Sequence, residues 1–266
     1  METITLRASS FPELFDCPAR WEAKHVKGLK LPKSPAAQLG TAVHASTAVF
    51  DACALDGNPI SADEAAGAAV DAIHHPEEEV VWDEDMRPQV AERIALNLHG
   101  RYCREFAPQQ NYLGVEVTCE RVEITDVGLA FTGTTDRIYI ANDEELGVVD
   151  LKTGATAVGA DGAVKTSGHL AQLGVYELLA SQALGRALNA PAQVIGMQTG
   201  KTEKAQRVAK ANIVSPSRVL VGTEEHPGLL ELASNVLHSG LFYGNPRSQL
   251  CSAKYCPAYG SCRFRG

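Results

Sequence analysis

The chain has 266 residues, of which 45% are hydrophobic and 21% are charged, and this composition is typical of one large globular domain or of a domain with an insertion. The first residues, METITLRASS, lack the basic and then apolar pattern of a signal peptide, and no apolar run approaches the roughly 20 residues that a membrane span needs. We therefore expect a cytoplasmic protein with no membrane contact. The seven cysteines lack the dense spacing of a secreted disulfide scaffold, which favours reduced thiols or metal ligands.

The formal net charge of -8 is unevenly distributed along the chain. Residues 61–85 carry nine acidic residues and neither Lys nor Arg, so the rest of the chain sums to about +1, because -8 plus 9 is +1. Two segments, 201–218 and 247–266, are locally basic. A basic track of this kind can bind phosphates on a protein whose total charge is acidic. Charge alone, however, favours ordinary solvated surfaces.

The first predicted elements are two helices. Residues 10–30 are predicted to form a helix that opens at Ser9 or Ser10. Residues 38–55 are predicted to form a second helix with His44 inside it. The small residues of this second helix, Gly40, Ala42, Ala45 and Ala48, allow close packing.

The next part of the chain is predicted to be a helical insertion. Residues 61–107 begin with Ser61 and Glu64 in a capping-box pattern, and apolar residues follow Pro88 at helical spacing. We expect this apolar stripe to pack in the core without chemistry of its own. The insertion, at about 58–110, lies within a single domain that covers residues 1–266.

From residue 113 the hydrophobic period changes to two, which indicates β-strands. The fold class that follows is α/β, with a central mixed β-sheet flanked by helices. The remaining predicted elements are strands near 113–124, 129–141 and 145–152, a helix over 168–186, a strand over 194–200 and a helix over 226–239.

The stretch GVVDLKTG, residues 147–154, ends a predicted core strand with an acid and a base. Because side chains alternate across a strand, Asp150 and Lys152 share one face. The simplest interpretation is a half-exposed ion pair at a strand end, which contributes about 0–1 kcal/mol.

A second acid is predicted to lie beside this pair. If the turn NDEE, residues 142–145, is centred near Asp143, then Asp136 faces Asp150 with Cβ atoms ~4.5–5.5 Å apart. Such carboxylates require a shared proton or a cation between them, and Mg²⁺ or Mn²⁺ is the ion that oxygen ligands prefer. Lys152 would then act on a water or on a phosphate, as in phosphodiester hydrolysis. A register shifted by one residue would separate the two acids.

The cysteines divide into two groups. Cys251, Cys256 and Cys262 have the spacing C-x4-C-x5-C, unlike the close C-x2-C pairs of common zinc sites, and Cys17 is remote in sequence. Sets of four thiolates also hold 4Fe-4S clusters. The other three, Cys53, Cys103 and Cys119, are expected to be buried free thiols.

Several segments, in order, resemble the motifs of the PD-(D/E)xK nuclease superfamily, and specifically its RecB-like exonuclease branch. GTTDRIYI followed by GVVDLKTG resembles the D...DxK core. LGTAVHA resembles the G-x-x-x-H motif, with His44 as the matching histidine. AQLGVYELL resembles the Q-x-x-x-Y motif, in which Gln172 and Tyr176 stand four apart and share a helix face.

The two ends of the chain extend this resemblance to the iron-sulfur members of the branch. SSFPELFDCPARW at 9–21 and LCSAKYCPAYGSC at 250–262 resemble the cysteine clamp of the AddB-type and CRISPR-adaptation-associated nucleases. The match covers about residues 9 to 262. It implies a 4Fe-4S cluster that ties the chain ends together, with zinc or an empty site as the alternatives; the residues implied are Cys17, Cys251, Cys256 and Cys262.

The resemblance also implies a restriction-endonuclease-like core and roles for individual residues. Considered alone, His44 is more typical of a packing histidine. Glu116, on the strand before the hairpin, is expected to approach the same sheet end and to support the ligands without binding the metal. The implied roles are metal binding by His44, Asp136, Asp150 and the Leu151 carbonyl, action on the attacking water by Lys152, and positioning of DNA or of the lysine by Gln172 and Tyr176.

The activity that the resemblance implies is that of a metal-dependent DNA exonuclease used in recombination or repair. Its partners would be single- or double-stranded DNA ends and recombination or single-strand-binding proteins. Two alternatives remain open from the sequence. One is a DNA-end-binding module with the same fold and little turnover, and the other is an iron-sulfur redox carrier.

Overall fold

A computed structural model describes residues 2–265, with the backbone alone at Asp143. A six-stranded mixed β-sheet lies between helices and confirms the predicted α/β class. The strands are β1 (Ile4–Arg7), β2 (Tyr112–Ile124), β3 (Leu129–Ile140), β4 (Leu146–Gly154), β5 (Ala192–Gln198) and β6 (Arg207–Ile213). The helices are α1 (Phe11–Asp16), α2 (Pro18–His25), α3 (Pro35–Leu55), α4 (Ala62–His74), α5 (Pro88–Glu105), α6 (Leu170–Leu184) and α7 (Leu229–Ser239).

The central strand β3 changes its neighbour halfway along its length. On one edge it pairs with β2 along nearly all of its residues. On the other edge it pairs first with β1, over Leu129–Thr132, and then with β4, over Arg137–Ile140. Between these two ladders, residues 133–136 have no strand partner on that edge among the described residues. The sheet therefore opens at Asp136.

Both faces of the sheet are covered. Side chains of α1, α6 and α7 form one hydrophobic core with residues such as Phe131 and Val148. Side chains of α3, α4 and α5 form the other core with residues such as Val149 and Leu151. Because neighbouring residues of β4 enter different cores, this strand is buried on both faces, as its continuous apolar run predicts.

The predicted helical insertion forms α4 and α5. The capping box at Ser61 and Glu64 is confirmed, since each side chain binds the other residue's backbone N–H. The apolar stripe of α5 packs in the same core as α3, with Ile94, Leu98 and Tyr102 fully buried. No helix among residues 2–265 has both the length and the apolar character needed to cross a membrane.

The single helix predicted over 10–30 is wrong in extent. Two short helices, α1 and α2, occupy this part, and Cys17 between them is extended, with φ -154° and ψ 94°. The cause is Pro18, because the residue before a proline is pushed out of the helical region. The break places the Cys17 side chain at the junction of two helices.

Two strands, β1 and β6, are absent from the sequence prediction. β6 lies at an edge of the sheet within the basic segment 201–218, where Lys210 and Asn212 are exposed and alternate with the half-buried Ala209, Ala211 and Ile213. Ahead of this strand, Lys201 Nζ lies 2.7 Å from Asp85 Oδ1. The acidic and basic segments therefore meet, and part of the basic charge is already matched within the chain.

Candidate active site

The acid and base at the end of β4 form a close pair. Lys152 Nζ lies 3.0 Å from Asp150 Oδ1 and 2.8 Å from Oδ2, so the two side chains share a face as predicted. The pair is not an ordinary surface ion pair, because Asp150 is only 2% exposed. Burial raises the pKa of Asp150 to about 6; the Lys152 charge opposes this shift and the Asp136 charge adds to it.

One oxygen of Asp150 lacks a suitable donor. Oδ2 is close to Lys152 Nζ, yet the geometry does not make a hydrogen bond, and this buried oxygen has no hydrogen-bond partner among the described residues. The Lys152 ammonium balances the charge of this oxygen, but no directed hydrogen bond occupies its lone pairs. These lone pairs are suited to a metal ion, which needs no hydrogen-bond geometry.

Asp136 lies at the opening of the sheet. The β3–β4 ladder has the predicted register but ends with Arg137 opposite Val149, one residue before the predicted pair of Asp136 and Asp150. The backbones separate at this point. The carboxylate of Asp136 enters the gap, and its Oδ2 accepts a hydrogen bond of 2.6 Å from the Leu151 backbone N–H.

His44 reaches the same place from α3. Its Nε2 lies 3.0 Å from the Leu151 carbonyl oxygen, and because a carbonyl can only accept, Nε2 carries the hydrogen. Neutral His44 then has an unprotonated Nδ1, the form that binds a metal. Nδ1 lies 3.7 Å from Asp136 Oδ1. The structure therefore brings His44, Asp136 and Leu151 together.

Helix α6 supplies a polar chain behind the lysine. Lys152 Nζ donates to Gln172 Oε1 at 2.9 Å, and Gln172 Nε2 donates to the Tyr176 hydroxyl at 2.9 Å. The predicted common face of Gln172 and Tyr176 is thus confirmed. Burial, helped by the negative charges of Asp150 and Asp136, raises the pKa of Tyr176, which keeps this hydroxyl protonated.

Glu116 comes closer to the site than expected. One ligand atom from each of His44, Glu116 and Asp136 lies within 4.8 Å of the other two, and no other three His, Cys, Asp or Glu residues of the described chain form such a set. Glu116 therefore lies among the candidate ligands, whereas its position in the sequence predicted only a supporting role.

Four of the cysteines form a second candidate site. They line one cavity of about 530 Å³ between α2 and the C-terminal segment, and all are free thiols. Of the other three, Cys103 and Cys119 are buried as predicted, whereas Cys53 is only half-buried on α3. The four that line the cavity are Cys17, Cys251, Cys256 and Cys262.

Hydrogen bonds also join the two ends of the chain at this cavity. The Asn245 backbone N–H donates to Cys17 Sγ at 3.4 Å, and the Asn245 side chain donates to the Asp16 carbonyl at 2.9 Å. The Ser248 hydroxyl donates to Asp16 Oδ2 at 2.7 Å. The C-terminal segment is therefore attached to α1 independently of any metal.

Comparison with known proteins agrees with this geometry. A family model described as the PD-(D/E)XK nuclease superfamily matches residues 5–263, and the chain belongs to this superfamily. The mixed sheet flanked by helices is consistent with its restriction-endonuclease-like fold. Membership indicates a nuclease that depends on a divalent metal.

Two further comparisons were made. A search of curated proteins gave no match. A solved structure described as "Crystal structure of SSO0001" is similar with a TM-score of 0.44 and 13% identity, over 100% of this chain and 89% of that chain.

The hydrogen bond from Leu151 to Asp136 leads to a stability prediction. In metal-free protein, Asp136→Ala should lower the free energy of unfolding by about 1–3 kcal/mol, because the Leu151 N–H loses its acceptor in a buried place. Asp136→Asn keeps an acceptor oxygen and should cost clearly less. Urea unfolding with a chelator present measures both values. Equal stability of the two variants would show that this hydrogen bond does not stabilise the opening between β3 and β4.

Proposed function

We propose that the protein is a metal-dependent DNA exonuclease of the RecB-like branch, which hydrolyses phosphodiester bonds at DNA ends during recombination or repair. The observation that carries the proposal is the convergence of His44, Asp136, the Leu151 carbonyl and the Asp150–Lys152 pair at the end of β4. Membership of the superfamily supports nuclease chemistry. The contact between Gln172 and Tyr176 supports the RecB-like branch. We also propose that the chain forms one nuclease domain, since α4 and α5 share a core with α3 and β4.

The donor set fits a hard divalent cation. Carboxylate and carbonyl oxygens with one imidazole suit Mg²⁺ or Mn²⁺, and the buried Asp150 Oδ2 makes no directed hydrogen bond. When bound, the ion would supply positive charge against the attacked phosphate. The groups that would hold it are the His44 imidazole, the carboxylates of Asp136 and Asp150, and the Leu151 carbonyl.

Lys152 is placed to act on the water or on the phosphate. An ammonium group has three N–H donors, and Asp150 and Gln172 accept from Lys152 Nζ. One N–H therefore remains to orient the attacking water or to offset charge on the phosphate. The Tyr176 hydroxyl accepts a hydrogen bond from Gln172 Nε2, so its contribution is to fix the orientation of the Gln172 amide.

A groove of about 600 Å³ leads to these groups along α3. Its walls include Gly40, Ala45 and Ala48, whose small side chains leave room for a nucleic-acid backbone. The fourth small residue of the predicted set, Ala42, packs in the core instead. We propose that DNA enters by this groove and that the basic residues of 247–265 lie further along its path.

The decisive test is cleavage of end-labelled single- and double-stranded DNA with Mn²⁺. The parent protein should shorten the labelled strands from their ends, and Asp150→Ala should abolish cleavage. Glu145→Ala, which removes an exposed acid just before β4, should cleave normally. Unchanged activity in Asp150→Ala would contradict the nuclease proposal. Tight binding of DNA ends by the parent protein without cleavage would favour the end-binding module instead.

Lys152 has its own kinetic signature. Lys152→Ala should lower the cleavage rate by ~10²-fold or more, which is the scale of general-base and electrostatic contributions. Affinity for Mn²⁺ should stay near the parent value or rise, because one positive charge is removed beside the carboxylates. The two quantities are measured by single-turnover cleavage and by calorimetry. Loss of Mn²⁺ binding in this variant would show that the role of Lys152 is misassigned.

We further propose that the four-cysteine cavity holds a 4Fe-4S cluster. Thiolates about 2.3 Å from a single Zn²⁺ would lie about 3.8 Å from one another. No three cysteines of the described chain form a set that compact, and the cavity that they line is about 530 Å³. This spacing favours a multi-iron cluster over zinc. Its role would be structural, as a tie between Cys17 and the C-terminal segment.

The cluster proposal predicts colour, composition and local mobility. Protein purified without oxygen should be brown and contain about four irons and four sulfides. Cys17→Ser should bleach it and increase amide hydrogen exchange in 251–265. Amides near Ser248 should stay protected, because the Asn245 side chain and the Ser248 hydroxyl still bind Asp16. The Asn245 amide is left out of the comparison, since it donates to Cys17 Sγ itself. Cys53→Ser, outside the cavity, should leave colour and exchange unchanged.

Other outcomes of the same experiment separate the alternatives. Colourless anaerobic protein with stoichiometric zinc would refute the cluster and leave the nuclease site untouched. Colourless protein without metal, together with unchanged exchange in Cys17→Ser, would refute the tie itself. Brown protein that transfers electrons reversibly, and that cleaves no DNA with any divalent metal, would favour the redox carrier.

A further inference from the structure

A third carboxylate stands in register with Asp136 and Asp150. On β2, Glu116 lies between Val115, which pairs with Arg137, and Val117, which pairs with Thr135. It is therefore level with Asp136 across the β2–β3 ladder, with a left-handed backbone of its own at φ 48°. The β3–β4 ladder ends at the pair Arg137–Val149, and one residue beyond it Asp150 lies on the other side of Asp136. Three acids thus follow one another across three adjacent strands.

The Glu116 carboxylate is close enough to share an ion with its neighbours. A carboxylate oxygen of Glu116, a ring nitrogen of His44 and a carboxylate oxygen of Asp136 lie within 4.8 Å of one another. The Glu116 side chain is 43% exposed and lines the groove that also contains His44 and Lys152. A cation entering along this groove would therefore meet Glu116 together with His44.

The contact with Arg137 does not explain why a glutamate occupies position 116. Arg137 Nη1 donates to Glu116 Oε1 at 3.2 Å, but the Arg137 charge is already matched by Asp51. Arg137 Nε and Asp51 Oδ2 are 2.8 Å apart, and both side chains are almost wholly buried. The contact uses one Glu116 oxygen and leaves Oε2 for another partner.

The charges of the site point to a cation. Glu116, Asp136 and Asp150 carry three negative charges against one positive charge on Lys152, which leaves an excess of two. This equals the charge of one divalent ion. A further observation is the buried Asp150 Oδ2 beside the same cluster, which lies 2.8 Å from the Lys152 ammonium but makes no directed hydrogen bond.

We propose that Glu116 is a direct ligand of the divalent metal, and that it binds the ion together with His44 and Asp136. This inference rests on the metal site of the proposed function and adds a ligand from β2 to it. Arg137 is then a positioning residue, because its Nη1 holds Glu116 Oε1 and also donates to the Asp136 carbonyl at 2.6 Å. Its own position is fixed by Asp51.

The test measures Mn²⁺ binding without DNA. Glu116→Gln should weaken Mn²⁺ affinity by at least about 10-fold in calorimetry, the scale at which even the outer partners of metal ligands act. Under saturating Mn²⁺ the variant should also show faster water-proton relaxation, because a water replaces the lost ligand. Glu120→Gln removes the same charge from an exposed position of β2 and should change neither quantity. Circular dichroism with a chelator present checks that every variant is folded.

The outcomes separate this inference from the proposed function. Unchanged affinity and relaxation in Glu116→Gln, with weakened binding in Asp136→Asn, would overturn the Glu116 assignment alone. Weaker affinity without faster relaxation would also overturn it, since Glu116 would then act only through its charge. Binding as tight as the parent's in Asp136→Asn would instead contradict the metal site itself.

Discussion

The candidate site depends on the change of partner along β3. Each edge of a strand normally pairs with one neighbouring strand. The edge of β3 that lies opposite β2 instead pairs first with β1 and then with β4, and residues 133–136 between the two ladders have no strand partner on this edge. The Asp136 carboxylate replaces the missing backbone acceptor for the Leu151 N–H. Gly133 allows α6 to approach the same opening, since an added Cβ would lie 3.3 Å from Tyr176. The opening thus collects polar groups from three directions at one end of a buried strand.

Buried charges are balanced in one part of the protein and unbalanced at the candidate site. Arg137 and Asp51 neutralise each other inside the protein, where removing one partner of such a pair costs about 3–5 kcal/mol. A few ångströms away, three carboxylates share one lysine and one contact with the Arg137 guanidinium, whose charge Asp51 already matches. The fold therefore balances charge where it needs stability and leaves an imbalance where the groove opens. A divalent ion corrects that imbalance, which is why the geometry favours metal chemistry over a structural ion-pair network.

The sequence was sufficient for the β3–β4 register because the connecting turn is short, and for Gln172 and Tyr176 because helical spacing is regular. It was insufficient for Glu116. The pairs nearest the β2–β3 turn, such as Glu123 with Ala130, would put Val117 opposite Asp136 if continued. An irregularity between Cys119 and Val122 shifts the register by one residue. Such a shift changes which residues of β2 face the site, and no pattern of residue types around Cys119 and Val122 indicates it.

The break of the first helix at Cys17 could in principle be predicted from Pro18, because a proline disfavours helical backbone in the residue before it. Residues on both sides of the proline have a helical pattern, however, and this pattern favoured one continuous helix.

Helix α1 connects the two candidate sites physically. At its C-terminal end, Asp16 binds Asn245 and Ser248 of the segment that carries the cysteines. At its N-terminal end, the Phe11 ring packs edge-on against Phe131 of β3 at 5.0 Å, two residues before the strand loses its partner. Because protein interiors are close-packed, a displacement of this short helix cannot be absorbed locally. The C-terminal segment is therefore linked through α1 to the strand that carries Asp136, and the break at Cys17 lies directly beside this link.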